Sequence, residues 1–373
     1  MSDTKARQLL FFADAQSVHT QRWVRAMLAR GWRCTVVSRL HAPIEGAEVL
    51  ALGTPDGRLG WFAAVPRVRA LARAFRPDLV HGHYITSYGF WAAACGLKKP
   101  LVLTGWGSDI LVSPRRSRLV RLLTGWTLRR AALVTADSRD MLDEIAGYRP
   151  RARLEQIYWG ADTEKFRPRA GEAPPDGVFR IVSLRAWDDN YNIDVIVAAV
   201  ARLRKRAPGL PLELHLLGGG PLEAALRAQV AALGLADVVR LHGKVDEDRM
   251  AQLVNAASVS VSIPHSDATS VSLLESMAAG LPVLVSDLPA NRQWVDEGQG
   301  GFLLPPRDAE GLAQALVALS ADPARARRMG LHNRARVEPG AARRVQMDRM
   351  DALYRELLRL PAGTVAAAPE AVR

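Results

Sequence analysis

Short runs rich in Val, Ile and Leu alternate with segments whose apolar positions recur with the helical period, and the alternation starts near the first residue. Residues 9–13 read as a strand, 18–30, closed by Gly31, as a helix, and 34–38, 79–83 and 101–104 as further strands. Apolar strands joined by helical crossovers predict a parallel sheet covered on both faces. The pattern fails over 166–177, where Pro168, Gly171, Pro174, Pro175 and Gly177 crowd a stretch without apolar period. It restarts with strands at 180–184, 212–217, 238–242, 259–263 and 283–286, separated by helical runs such as 221–233 and 272–279. The expected organisation is a first α/β domain over 1–165, a linker over 166–178 and a second over 179–340. A C-terminal helix over 341–360 returns to the first domain, and a loose tail fills 361–373. Two doubly wound, Rossmann-like halves facing across a cleft would bind ligands beyond the carboxyl ends of their strands.

The stretch HSDATSVSLLESMAAGLPVLVS, residues 265–286, runs strand, polar loop, helix, strand. Thr269, Ser270, Val271 and Ser272 fall where the helix begins, so free amides and hydroxyls face outward with the positive end of the helix dipole behind them, a seat for a diphosphate. Glu275, about one turn on, can accept hydrogen bonds from paired hydroxyls such as those of a ribose, and Asp267 can reach a sugar hydroxyl. The same residues serve equally as helix caps.

This stretch resembles the donor signature of glycosyltransferase family 4, retaining enzymes of the GT-B fold, in which two acidic residues separated by seven flank a helix start: here Asp267 and Glu275. HLLGGGPLEAAL at 215–226, with Gly218 and Gly219, resembles the family's glycine turn. YWGADTEKFRP at 158–168 resembles its exit from the first domain, and WGSD, Trp106 to Asp109, a loop near the reacting carbon. The resemblance implies transfer of a hexose from a nucleotide-sugar, UDP- or GDP-linked, to a glycan or lipid-linked acceptor, with no cofactor and no metal. Arg185 would hold the diphosphate, with Lys244 approaching the base or phosphate. The sequence departs from the family in three places. Asn190, Tyr191 and Asn192 occupy the neighbourhood of the usual second phosphate-binding lysine, Asp267 replaces the common Glu, and Trp106 stands where a histidine is common. A GT-B-fold sugar-nucleotide epimerase or a donor-site-impaired binding protein is the alternative.

Charge adds a partner to this picture. Of the net +12, residues 1–165 carry 25 Lys+Arg against 14 Asp+Glu, whereas the rest carries 25 against 24. The segment from Arg115 to Arg130, RRSRLVRLLTGWTLRR, is a basic amphipathic helix: either a packing helix with snorkelling arginines or a contact for an anionic membrane surface. No groove-like pattern of cations and aromatics predicts nucleic-acid binding. His19 and Asp109 are expected to join Asp267 and Arg185 as catalytic residues, with His83, Tyr84 and Trp106 on the acceptor side. Cys34 and Cys95 lack metal-ligand spacing and read as core residues. The early apolar run is too short for a signal peptide or a span, which predicts a cytoplasmic protein, peripheral on the inner membrane face if the basic helix docks there.

Overall fold

The protein's structure, a computed structural model, describes residues 6–54, 58–169 and 176–361. It divides into two units: the residues up to Trp159 together with those from Arg344 onward, and Gly160–Arg343. The first holds a seven-stranded parallel sheet in the order β3-β2-β1-β4-β5-β6-β7. Its strands are β1 (Gln8–Phe12), β2 (Arg33–Ser38), β3 (Glu48–Ala51), β4 (Leu79–His83), β5 (Leu101–Thr104), β6 (Leu133–Ala136) and β7 (Arg153–Gln156). The second holds a six-stranded parallel sheet in the order β10-β9-β8-β11-β12-β13. These are β8 (Phe179–Ser183), β9 (Leu212–Leu217), β10 (Val239–Gly243), β11 (Val259–Ser262), β12 (Val283–Ser286) and β13 (Gly301–Leu304).

The apolar runs form the centre of each sheet because both faces are covered by helices. Leu9, Phe11 and Leu79 lie fully buried in one core, and Ile181, Leu214 and Val261 in the other. Each sheet reverses its strand order once, between β1 and β4 and between β8 and β11. At such a switch point the loops leaving the two neighbouring strands turn apart and open a crevice at their carboxyl ends.

The helix Arg343–Leu357 packs Met347, Met350, Leu353 and Tyr354 into the first unit's core. Tyr354 Oη lies 2.5 Å from His81 Nδ1 and accepts from Trp23 Nε1 at 3.2 Å, so the C-terminal helix braces the middle of β4. The unit boundaries differ from those expected. The chain leaves the first unit at Trp159 rather than near 165, because Phe166 is fully buried and the Arg334 guanidinium donates to the Thr163 and Phe166 carbonyls within the second unit. The expected linker is thus partly core. Residues 170–175 of that linker and 362–373 of the expected tail lie outside the described residues. Among the described residues no helix is long and apolar enough to cross a membrane.

Candidate active site

The switch point of the second unit gathers the residues singled out around 265–275. The loop after β8 delivers Arg185, the loop after β11 delivers Asp267, and the helix Val271–Ala278 follows Ser270. Arg185 Nη2 donates to Asp267 Oδ2 at 2.6 Å and Nη1 to Ser272 Oγ at 3.1 Å and to Ser270 Oγ. The Tyr191 ring lies 4.2 Å from the guanidinium carbon, a cation–π contact. Burial raises the Asp267 carboxyl above the usual range, and the charge of Arg185 opposes that rise.

Ser270 takes extended backbone angles at the start of the Val271 helix, yet its hydroxyl makes no cap bond to the helix amides. The first-turn N–H groups therefore keep no side-chain cap, which is the condition under which a helix start receives an anion. Thr269 Oγ1 is buried without a hydrogen-bond partner among the described residues, and Glu275 is buried one turn further along.

The glycine turn after β9 fits against Arg185 rather than standing open. A Cβ on Gly218 would come within 2.2 Å of the Arg185 carbonyl oxygen, and one on Gly220 within 2.3 Å of the Trp187 carbonyl oxygen. Trp187 N donates to Gly219 O at 3.1 Å, closing the turn onto the β8 loop. A Cβ on Gly219 would meet only the Lys244 chain, at 3.7 and 3.8 Å, so Lys244 runs along the turn.

In the first unit the switch point gathers an aromatic cluster. His83, at the end of β4, packs its ring 5.2 Å from Trp23, 5.7 Å from Trp106 and 5.8 Å from Trp159. His19, from the helix Val18–Leu28 that follows β1, lies 5.3 Å from Trp159 and 6.0 Å from Trp106. Both ring nitrogens of His83 and the indole nitrogen of Trp106 are buried without a hydrogen-bond partner among the described residues. Burial, with His19 adding to it, lowers His83 to about 3, so its imidazole stays neutral. Among the described residues no group of three or more His, Cys, Asp or Glu is arranged to hold a metal ion.

Residues 8–138 match the family described as "Glycosyl transferase 4-like", and residues 179–322 match "Glycosyl transferases group 1". A D-inositol 3-phosphate glycosyltransferase of Nocardia farcinica is 31% identical over 323 residues, 78% of this chain and 68% of that protein. The chain belongs to glycosyltransferase family 4. A glycogen synthase of Mycobacterium tuberculosis is 29% identical over 269 residues, 69% of this chain, and the match spans 63% of that enzyme's length. The sucrose-phosphate synthase of Thermosynechococcus elongatus superposes with a TM-score of 0.78 at 21% identity, covering 95% of this chain and 100% of that one. Anabaena HepE, solved in complex with UDP, superposes with a TM-score of 0.77 at 18% identity, over 94% of this chain and 100% of that one. Both neighbours share the GT-B fold of two Rossmann-like domains.

Within this family 4 chain the structure groups Arg185, Asp267, Thr269, Ser270, Val271, Glu275, Gly218, Gly219 and Lys244 in the second unit, and His19, His83, Tyr84 and Trp106 in the first. Asp109 requires a correction. It is fully buried, and its carboxylate accepts from Ile85 N at 2.6 Å and Trp106 N at 2.9 Å, so it ties the Trp106 loop to β4 rather than facing a substrate. Burial raises it to about 6, against those bonds. His83 is buried among aromatic rings with both nitrogens unpartnered among the described residues, and Tyr84 holds its hydroxyl 2.9 Å from Ser108 Oγ.

The departure at 190–192 acquires a role. Asn190 brackets the 265–266 turn through Oδ1 from Ser266 N at 3.2 Å and Nδ2 to Ser266 O at 2.9 Å, beside Asp267. Sequence reasoning missed this brace, and also Trp23 and Trp159 around His83. Trp159 sits inside the YWGAD segment, a signal that was available; Trp23 reads as an ordinary apolar helix position.

Proposed function

We propose that this chain is a retaining glycosyltransferase that moves a hexose from a UDP- or GDP-sugar to a glycan or lipid-linked acceptor without a metal ion. The observation that carries the reading is the Arg185 guanidinium, held by Asp267, Ser270 and Ser272 at an uncapped helix start. A fixed cation and outward amides stabilise the charge that grows on a departing diphosphate, and because they are already oriented no reorganisation is needed during the reaction. In the proposed step the acceptor oxygen bonds to the sugar C1 as the C1–O bond to the diphosphate breaks. The acceptor proton passes to the departing phosphate oxygen on the same face, which preserves the anomeric configuration.

Asp267 has two duties in this reading. It orients Arg185 while the site is empty, and its carboxylate meets a sugar hydroxyl when the diphosphate takes over the guanidinium. Glu275 would receive the ribose hydroxyls. On the acceptor side, the partnerless nitrogens of His83 and Trp106 support a polar ligand, since buried polar groups are normally paired. The surrounding tryptophan faces suit the apolar face of a sugar ring. The basic segment from Arg115 to Arg130 would bring the enzyme to an anionic membrane surface from the cytoplasmic side.

The test is consumption of radiolabelled UDP-glucose or GDP-mannose in the presence of EDTA, with the anomer of the released sugar followed by proton NMR. We expect turnover that EDTA leaves intact and a sugar released first in the donor's configuration. Release of the opposite anomer, or no consumption of any nucleotide-sugar, overturns the reading.

A further inference from the structure

In the first unit, the helices Arg58–Ala63 and Arg118–Leu128 border an apolar groove. It is lined by Trp61, Phe62, Phe90, Val120 and Leu123 among others. Its rim is unusual. Leu59 is 85% exposed, Leu122 71%, Leu119 50% and Phe62 42%, and these are half of the large apolar side chains that stand exposed among the described residues. Leu119 lies one turn before Leu123 and Leu59 one turn before Phe62, so the exposed side chains extend the groove outward.

Cations surround this face. No acidic residue occurs between Ile110 and Ala136, and Arg115, Arg116, Arg118, Arg121, Arg129 and Arg130 are all exposed. Arg115 pairs with Glu144 at 2.9 Å and Arg130 stacks on Trp126 at 3.6 Å. Among the described residues Arg116, Arg118, Arg121 and Arg129 form no ion pair. Leucines and a tryptophan on one helix face with arginines around them are the chemistry of a segment that lies in a lipid interface. A nucleic acid would use the arginines but leave the leucines wet, and a helix packed only against its own core would hide Leu119 and Leu122.

We propose that this face docks on an anionic phospholipid bilayer, with one acyl chain lying in the groove between the two helices and the headgroup phosphates against the arginines. The proposal rests on the membrane reading given above and adds the site, its occupant and the residues that receive it. The groove makes docking depend on apolar insertion as well as on charge.

Flotation with vesicles of phosphatidylglycerol and phosphatidylcholine, compared with phosphatidylcholine alone, reads the membrane step. The wild type is expected to float only with the anionic vesicles and to be released by salt. L119D with L122D changes exposed positions only, so its melting temperature should be unchanged while bound protein falls about tenfold. Quenching of tryptophan fluorescence by a phospholipid brominated on its acyl chain reads the groove, and W61F, which keeps an aromatic ring there, should lower that quench while still floating, the remainder coming from Trp126 on the docking helix. Absence of wild-type flotation overturns the membrane reading and the groove together. Flotation with no quench, a quench unchanged in W61F, or undiminished flotation of the folded L119D/L122D protein overturns the groove alone.

Discussion

Removing the Arg185 guanidinium separates what that side chain does for the fold from what it does for the donor. Arg185→Met leaves Asp267 buried beside Ser270 and Ser272 with no cation. Deleting one partner of a fully buried pair costs about 3–5 kcal/mol. Here the two side chains are 10% and 20% exposed, so screening lowers the expectation to about 2–3 kcal/mol. For a domain of this size that is a fall of roughly 5–10 °C in melting temperature. Donor affinity falls for a separate reason. Two charge-assisted hydrogen bonds to phosphate contribute about 1.5–3 kcal/mol each, and the wild type must first loosen Arg185 from Asp267. The net loss is therefore about 2–3 kcal/mol, or roughly 30–150-fold in Kd. Adding Asp267→Asn removes the stranded charge. The double variant should regain most of the melting temperature and none of the affinity. Scanning fluorimetry reads the first quantity, and calorimetric titration with UDP and GDP reads the second. A single variant that binds nucleotide within twofold of the wild type, or a double variant that recovers binding, refutes the reasoning.

Three further outcomes follow from the geometry. Asp109 is raised from 3.8 to about 6, so its contribution to stability is full below pH 3.8 and is lost as pH rises through 6; about two pKa units correspond to ~3 kcal/mol. Denaturant melts should therefore show the wild type losing about that much, relative to Asp109→Asn, between pH 4 and 7, whereas parallel profiles would contradict the assignment. Gly218→Ala forces a methyl onto the Arg185 carbonyl and should lower stability by about 1–3 kcal/mol and weaken nucleotide binding, as melts and titrations would reveal; an unperturbed variant would mean that the turn is loose. Trp106→Ala should raise the acceptor KM about tenfold while leaving nucleotide Kd unchanged, and a loss of nucleotide affinity would place that indole on the donor instead.

The central strands were readable because burial on both faces makes them unbroken apolar runs: Leu79–His83, Leu101–Thr104, Leu212–Leu217 and Val283–Ser286 have the ends that the pattern predicts. Of the four sheet edges only β10, Val239–Gly243, was readable. EVLA at Glu48–Ala51 and RLEQ at Arg153–Gln156 are partly exposed edge strands, where one neighbour and one covered face impose little on composition. The helix Pro323–Ala341 also escaped, because it carries Pro339, Gly330 and Gly340 and no strong apolar stripe.

The candidate site divides in the same way. The placement of Asp267, Ser270 and Glu275 around a helix start was legible because one short segment carries them all at that spacing. Asp109 was misread because a carboxylate in a polar loop looks the same whether it faces a substrate or two backbone amides. Tyr191 and Asn190 were seen only as a missing lysine. The Asn190 bonds to Ser266 join residues 76 positions apart, which no local pattern encodes, and the Tyr191 ring comes under Arg185 through an irregular loop whose path no periodicity predicts.

The most direct measurement is the crystal structure of the protein soaked with UDP or GDP in the presence of EDTA. The account predicts diphosphate density within hydrogen-bond distance of the Arg185 guanidinium and the amides that open the Val271–Ala278 helix, with the ribose hydroxyls on Glu275. A nucleotide bound elsewhere, or an Arg185–Asp267 pair left undisturbed beside an empty helix start at saturating nucleotide, would contradict it.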